Sequence, residues 1–281
     1  MKTFMMPIAM LFFALTGCNS SDDKNEVNEN LPSLDLTGVS YGTDNAQKLD
    51  VYLPAGRTGH TKVFILVHGG GWSSGSRSDF NYVIPLLKAQ FPDHAIVNMD
   101  YRLASASSPA FPKQIQDIQA VIKFLKESNY NISDDYAFIG ASAGAHLAML
   151  YSYKYDTQHN IKAVCSIVGP TDFTDAYYTS HPYYQYAAQY LLGSAAAQPE
   201  AAAAISPAVY VSPDSPQTIM FYGGQDPLVP VSQAVRLKEK LDANDVYNEY
   251  YLYSSGGHGN WNPTVMADFQ DKLINFFTER F

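Results

Sequence analysis

Two stretches of the chain spell G-x-S-x-G: Gly71-Trp72-Ser73-Ser74-Gly75 and Gly140-Ala141-Ser142-Ala143-Gly144. A serine hydroxyl attacks a carbonyl only when a base takes its proton, so either site needs a histidine and an acid that orients it. Position separates the two. A nucleophile of this type sits on a sharp strand-to-helix turn between small residues, where strained backbone exposes Oγ. Tyr136-Ala137-Phe138-Ile139 leads straight into Gly140, and residues 143–150 continue as a helix whose N-terminus favours developing negative charge. The strand before Ser73 ends near His68, and Gly75-Ser76-Arg77-Ser78 still intervenes before any helical pattern. Ser142 is therefore the candidate nucleophile and Ser73 a loop residue.

His258 is the candidate base, in Ser254-Ser255-Gly256-Gly257-His258-Gly259-Asn260, a glycine-rich loop between the last strand and the last helix. Asp226, in Gly223-Gly224-Gln225-Asp226-Pro227, is the candidate acid; the order Ser, Asp, His suits this architecture. Each has a plainer alternative: Asp226 as a cap for the helix near Val231, and His258 as an ordinary loop histidine. Val67-His68-Gly69-Gly70-Gly71-Trp72 supplies main chain that approaches a substrate closely, so Gly70, Gly71 and Ala143 are candidate N–H donors to an oxyanion. Trp72 is an alternative main-chain donor; its ring either floors the acyl pocket or packs under the loop. His146, one turn beyond Ser142, reads as a packing or hydrogen-bonding residue. No histidine pair has metal-ligand spacing with carboxylates, so neither a metal nor a cofactor is expected.

The elements that position these residues follow from periodicity. Short β-branched or aromatic runs at 38–41, 48–53, 62–67, 95–99, 136–139, 163–168, 218–222 and 247–253 alternate with helix-length segments. The first two read as an edge hairpin. Ile115, Ile118, Val121, Ile122 and Leu125 mark a helix, as do Val265, Phe269, Leu273 and Phe276 behind an Asn262 N-cap and Pro263. The fold class is α/β: a mostly parallel eight-stranded sheet flanked by helices, in one domain over 36–281. Residues 171–207 break the rhythm and predict a small helical, cap-like insertion between strands 6 and 7, lying over the sheet's edge.

The 281 residues are 46% hydrophobic and 16% charged, enough for a substantial core. A formal charge of −9, from 18 basic and 27 acidic residues, leaves no cationic excess to bind nucleic acid. Lys2, the apolar run 8–15, and Leu15-Thr16-Gly17-Cys18 predict a lipoprotein signal peptide over 1–17, with Cys18 acylated. Membrane attachment is expected through that anchor alone, at the outer membrane or surface of a bacterial envelope. Residues 18–35, polar and acidic, read as a tether. Cys165 would then be the one remaining thiol, a buried small hydrophobe.

His68-Gly69-Gly70-Gly71-Trp72, Asp100-Tyr101-Arg102-Leu103, the Gly140–Ala148 stretch and Gly223–Pro230 together resemble the α/β-hydrolase superfamily. Within it the chain resembles the esterase/lipase group containing bacterial feruloyl esterase-like (BD-FAE-like) proteins and hormone-sensitive-lipase-type carboxylesterases, with kynurenine formamidases nearby. The resemblance covers about 36–281 and implies ester hydrolysis through an acyl-enzyme, with a small-molecule or oligosaccharide ester as substrate. It departs from its relatives at Ala145, where some carry a second glycine, and at Gly223, where many carry histidine. Asp100 and Arg102 read as a structural ion pair. Tyrosines of the insertion, Tyr183 and Tyr184 foremost, suit aryl groups or sugar rings, or else simply pack the cap on its own domain. An arylformamidase, a prolyl-oligopeptidase-type peptidase and a non-catalytic glycan-binding lipoprotein are the competing functions. The peptidases usually carry a propeller domain for which this length has no room.

Overall fold

The β-branched and aromatic runs assemble into one sheet in the computed structural model, which describes residues 31–281. In chain order its strands are β1 Leu34–Ser40, β2 Lys48–Leu53, β3 Val63–Val67, β4 Ala95–Met99, β5 Tyr136–Ala141, β6 Ile161–Ile167, β7 Gln217–Gly223 and β8 Asn248–Tyr253. They lie in the order β1-β2-β4-β3-β5-β6-β7-β8. The β1/β2 and β2/β4 pairs are antiparallel and the remaining pairs parallel, giving the edge hairpin and the mostly parallel body expected. The central strands β3 and β4 are buried along their whole length, as continuous apolar runs covered on both faces must be.

The helices are α1 Ile84–Gln90, α2 Lys113–Glu127, α3 Ala143–Leu150, α4 Ala176–Thr179, α5 Pro182–Leu192, α6 Pro199–Ala204, α7 Val231–Ala243 and α8 Pro263–Arg280. All five apolar residues read from the α2 periodicity are buried. In α8 the Asn262 side chain accepts the Val265 N–H at 3.0 Å, and Phe269, Leu273, Phe276 and Phe277 form the buried stripe.

Most strand ends fall within two residues of expectation, and two boundaries differ by more. β1 starts at Leu34, four residues before the predicted strand, because a register shift between Leu36 and Val39 breaks the alternation; Gly38, at φ +66°, sits in it. The last residues of the expected tether therefore belong to the domain. Gly56 N–H donates to Leu31 O at 2.8 Å and Arg57 Nη1 to Pro32 O at 2.6 Å, contacts between distant segments that no local pattern announces. The signal peptide, Cys18 and tether residues 18–30 lie outside the described residues.

Residues 171–207 are helical, as α4 to α6, but they do not lie along an edge. Tyr184, Ala187, Ala188 and Leu191 bury one face of α5, and Tyr190 O and Leu191 O accept the N–H groups of Ala110 and Phe111 at 2.8 and 3.0 Å. That docks α5 above the carboxyl end of the sheet's central strands. Its opposite face presents Tyr183, Tyr186 and Tyr190 at helical spacing.

Replacing Asn262 by Ala removes the cap of α8, and the expected loss is about 1 kcal/mol in urea unfolding with an unchanged denaturant slope.

Candidate active site

Parallel register brings the carboxyl ends of five strands into line. Val67 pairs with Gly140, Gly140 with Ser166, Ile167 with Phe221, and Gly223 with Tyr253. The segments that follow β3, β5, β7 and β8 thus emerge on one rim, and they are the four segments singled out from the sequence.

After β5 the chain turns into α3 within one residue. Ser142 has φ +51° and ψ −116°, a conformation disfavoured for any residue with a Cβ, and its N–H is held by Ile167 O at 2.7 Å. The turn is this tight because α3 packs directly on the end of β3. A Cβ on Gly144 would lie 2.0 Å from Val67 O and 2.3 Å from His68 O. All eight residues of α3 are buried, so the helix cannot retreat without surrendering core contacts.

His258 Nε2 stands 2.8 Å from Ser142 Oγ, and its Nδ1 stands 2.7 Å from Asp226 Oδ2. The carboxylate can only accept, so Nδ1 carries the proton and Nε2 is left to accept the serine hydroxyl. The Asp226 side chain is 1% exposed and is satisfied by three donors, since Oδ1 also accepts the N–H groups of Leu228 and Val229 at 2.8 and 3.0 Å. This local turn, not a cap on α7, is what Asp226 makes; α7 has Pro230 at its N-cap and no side-chain cap. Gly223 lets the histidine loop arrive. A Cβ there would fall 2.2 Å from Gly257 O and 2.4 Å from Gly256 O, so the loop rests on bare backbone at the end of β7. A histidine at this position would collide with it.

Across from Ser142, Gly70 and Gly71 adopt φ +101° and +55°, and the N–H groups of Ser73 and Ser74 close the turn onto Gly70 O at 3.2 and 3.0 Å. The His68 ring stacks on Tyr101 at 4.1 Å, and the Tyr101 hydroxyl is within reach of both His68 O and Gly69 O at 2.9 and 3.0 Å. A Cβ placed on Gly69 would stand 3.4 Å from Ser142 Cβ, which puts the turn directly beside the serine. Ser73, the other G-x-S-x-G serine, is part of this turn; its Oγ hydrogen-bonds Tyr186 Oη at 2.8 Å.

The substrate-contact expectations fare unequally. Trp72 is not a pocket floor: its ring is 1% exposed, donating from Nε1 to His146 Nδ1 at 3.2 Å and packed on Phe173. Tyr184 is buried too, its hydroxyl donating to Phe173 O at 3.2 Å, because it lies on the inward face of α5. Tyr183 and Tyr186 lie on the other face. Their hydroxyls would stand 3.0 and 3.2 Å from a Cβ on Gly71. Burial raises the Tyr183 hydroxyl well above the ordinary range, so it remains a proton donor at all physiological pH. Spacing along α5 would have selected Tyr186 over Tyr184, had the inward face been known.

His146 is fully buried, its Nε2–H donating to Ile205 O at 2.7 Å, and burial lowers its pKa to about 4. Asp100 and Arg102 are both structural, though not with each other. Asp100 pairs with Arg77, while Arg102 pairs at 2.6 Å with the buried Asp117, which also accepts from Gln47 at 2.8 Å. Asp117 comes from α2, and nothing in its flanking sequence separates it from a solvent-facing aspartate.

A hydroxyl on a strained turn, an imidazole and a buried carboxylate stand in line at hydrogen-bond distance, the arrangement of a candidate nucleophile site. The chain belongs to the BD-FAE family, whose model matches residues 49–241, within the esterase group of the α/β-hydrolase fold. It is 30% identical over 246 residues to Esterase LipC of Mycobacterium tuberculosis, covering 79% of this chain and 59% of that protein. It is also 30% identical over 148 residues to kynurenine formamidase of Danio rerio, covering 49% of this chain and 46% of that one. The chain spans about half the length of the curated relatives it matches. A truncated form of a carbohydrate esterase from gut microbiota superposes with a TM-score of 0.75 at 24% identity, covering 89% of this chain and 97% of that one. Cest-2923, a carboxylesterase of Lactobacillus plantarum, superposes at 0.69 with 16% identity, covering 89% and 98%. These likenesses establish the shared fold.

Burial of His146 carries a pH signature. The ring titrates near 6.5 when unfolded and near 4 when folded, so between those values the unfolded chain alone holds the proton. The neutral ring's contribution is complete above pH 6.5 and falls away as pH drops toward 4, by about 3 kcal/mol. Urea midpoints between pH 7 and pH 4.5 are expected to fall more steeply for the wild type than for His146→Gln.

Proposed function

We propose that the protein is a serine carboxylic-ester hydrolase that works through Ser142, His258 and Asp226 and an acyl-enzyme. The observation that carries this reading is His258 standing within hydrogen-bond reach of both Ser142 Oγ and Asp226. In the first step Oγ bonds to the substrate carbonyl carbon, its proton passes to His258 Nε2, and the carbonyl oxygen becomes anionic. The N–H groups of Gly70, Gly71 and Ala143 meet that charge. His258 then returns the proton to the departing alcohol, leaving the acyl group on Ser142. Water, deprotonated by the same imidazole, attacks this ester; the proton goes back to Oγ as the acid leaves. Asp226 holds the ring with Nδ1 protonated and balances the imidazolium.

The substrates we assign are short acyl or aryl esters, including acetyl or feruloyl groups on oligosaccharides. Tyr183 and Tyr186 flank the Gly71 turn with stacked rings 5.1 Å apart, amphipathic surfaces suited to an aromatic acyl group or a sugar. The carbohydrate-esterase name of a structural neighbour fits this choice. A second reading, hydrolysis of an N-formyl bond by the same three residues, draws on the kynurenine formamidase similarity. We also propose export and anchoring through acylated Cys18, on the strength of Leu15-Thr16-Gly17-Cys18.

Protein lacking residues 1–18 is to be assayed on p-nitrophenyl acetate, a feruloyl ester, acetylated xylan and N-formylkynurenine. Ser142→Ala should lower turnover by about three orders of magnitude or more and abolish fluorophosphonate labelling, while Ser73→Ala should keep most activity. Activity surviving in Ser142→Ala overturns the assignment, and preference for N-formylkynurenine selects the second reading. For the anchor, labelled palmitate should enter the full-length chain expressed in bacteria and be lost in Cys18→Ala.

A further inference from the structure

Ser142 and the glycine turn that faces it come from different loops, and a tetrahedral oxyanion is held well only if their separation is fixed. We infer that His146 is a positioning residue which locks the Gly70–Trp72 turn to the nucleophile's helix by accepting the Trp72 indole N–H; this rests on the serine-hydrolase reading above. His146 lies one helical turn beyond Ser142 on α3, and its Nδ1 takes the Trp72 Nε1–H at 3.2 Å.

The donor pattern has a single consistent solution. Ile205 O, 2.7 Å from His146 Nε2, can only accept, so Nε2 carries the proton. Nδ1 then presents a lone pair, and an indole can only donate. Burial keeps the ring neutral well below pH 7, so that lone pair persists. The two rings meet edge to face at 5.5 Å, and Phe173 packs on His146 at 5.3 Å and on Trp72 at 6.3 Å.

The main chain of Trp72 is fixed from the other side. Its carbonyl accepts Gln114 Nε2 at 2.7 Å and Ala104 N–H at 2.9 Å, and its φ is +62°, beside two glycines also at positive φ. The bonds within the turn converge on Gly70 O and Trp72 O, the indole bond ties it to α3, and the Gly71 N–H lies one residue from that indole. Releasing the indole therefore moves the donor relative to Oγ. Displacements of order 1 Å at such a site cost rate without costing substrate binding.

The test separates this role from packing. Trp72→Phe keeps an aromatic ring and deletes the donor. His146→Gln retains a donor that can reach Ile205 O but removes the acceptor at Nδ1, whereas His146→Asn carries a carbonyl oxygen close to that place. With p-nitrophenyl acetate, kcat should fall about tenfold in Trp72→Phe and His146→Gln with KM nearly unchanged, and recover in part in His146→Asn. The Trp72→Phe/His146→Gln double variant should lose no more than either alone. A short alkyl trifluoromethyl ketone reports on the oxyanion donors directly. Ser142 Oγ adds to its carbonyl carbon, the hydroxyl proton moves to His258, and the ketone oxygen takes the charge. Its affinity should fall by the same factor as kcat.

Unchanged kcat and ketone affinity in folded Trp72→Phe, a loss confined to KM, or additive losses in the double variant would overturn the inference. Failure of the wild type to take a fluorophosphonate at Ser142 instead sinks the hydrolase reading on which it stands.

Discussion

The chain must leave a strand and enter a helix at Ser142 without a residue to spare, and the site depends on that constraint. A positive-φ serine costs on the order of 1–3 kcal/mol. Against it stand the fully buried β5 segment 136–139 and the eight buried residues of α3, of which Leu147, Met149 and Leu150 alone are worth about 1.5–3 kcal/mol each. Packing wins by a wide margin, so the strain is held in place permanently. Its result is a hydroxyl lifted clear of the backbone at the helix N-terminus, facing the turn that follows β3.

Convergence of the other groups follows from the parallel sheet. With adjacent strands in register, each crossover returns to the same rim, and residues far apart in sequence arrive at hydrogen-bond distance. The fit is completed by backbone more than by side chains: Gly144 lets α3 touch β3, and Gly223 lets the His258 loop lie across the end of β7. Asp226 is the best protected of the three side chains: it is nearly inaccessible and bonded through both oxygens, which orients the imidazole, while His258 itself stays partly exposed.

Beside this centre lies the helical insertion. α5 buries Tyr184 and Leu191 against the domain and turns Tyr183 and Tyr186 toward the Gly71 turn, with Tyr186 tied to Ser73. The Ser73 hydroxyl of the second G-x-S-x-G pattern thus joins the turn to the insertion. The same five-residue pattern serves two purposes in one chain, distinguished by the elements on either side.

The sequence by itself determined the strands, because their apolar runs are bounded by glycine, proline and polar turns. It also determined the order of Ser142, Asp226 and His258, because chain order survives folding. Local rules sufficed for the Asn262 cap, for the turn at Ser142, and for setting Ser73 aside. Tertiary structure alone decided which side of a residue faces what. Trp72 went into the core and not the pocket, Tyr186 and not Tyr184 shared the outward face with Tyr183, Arg102 found Asp117 in place of Asp100, and residues 31–35 joined the domain. The physical reason is common to all four. Spacing along a helix or strand sets which residues share a face, but the partner that covers that face comes from elsewhere in the chain, and pairing energies depend on distances that only the folded packing creates.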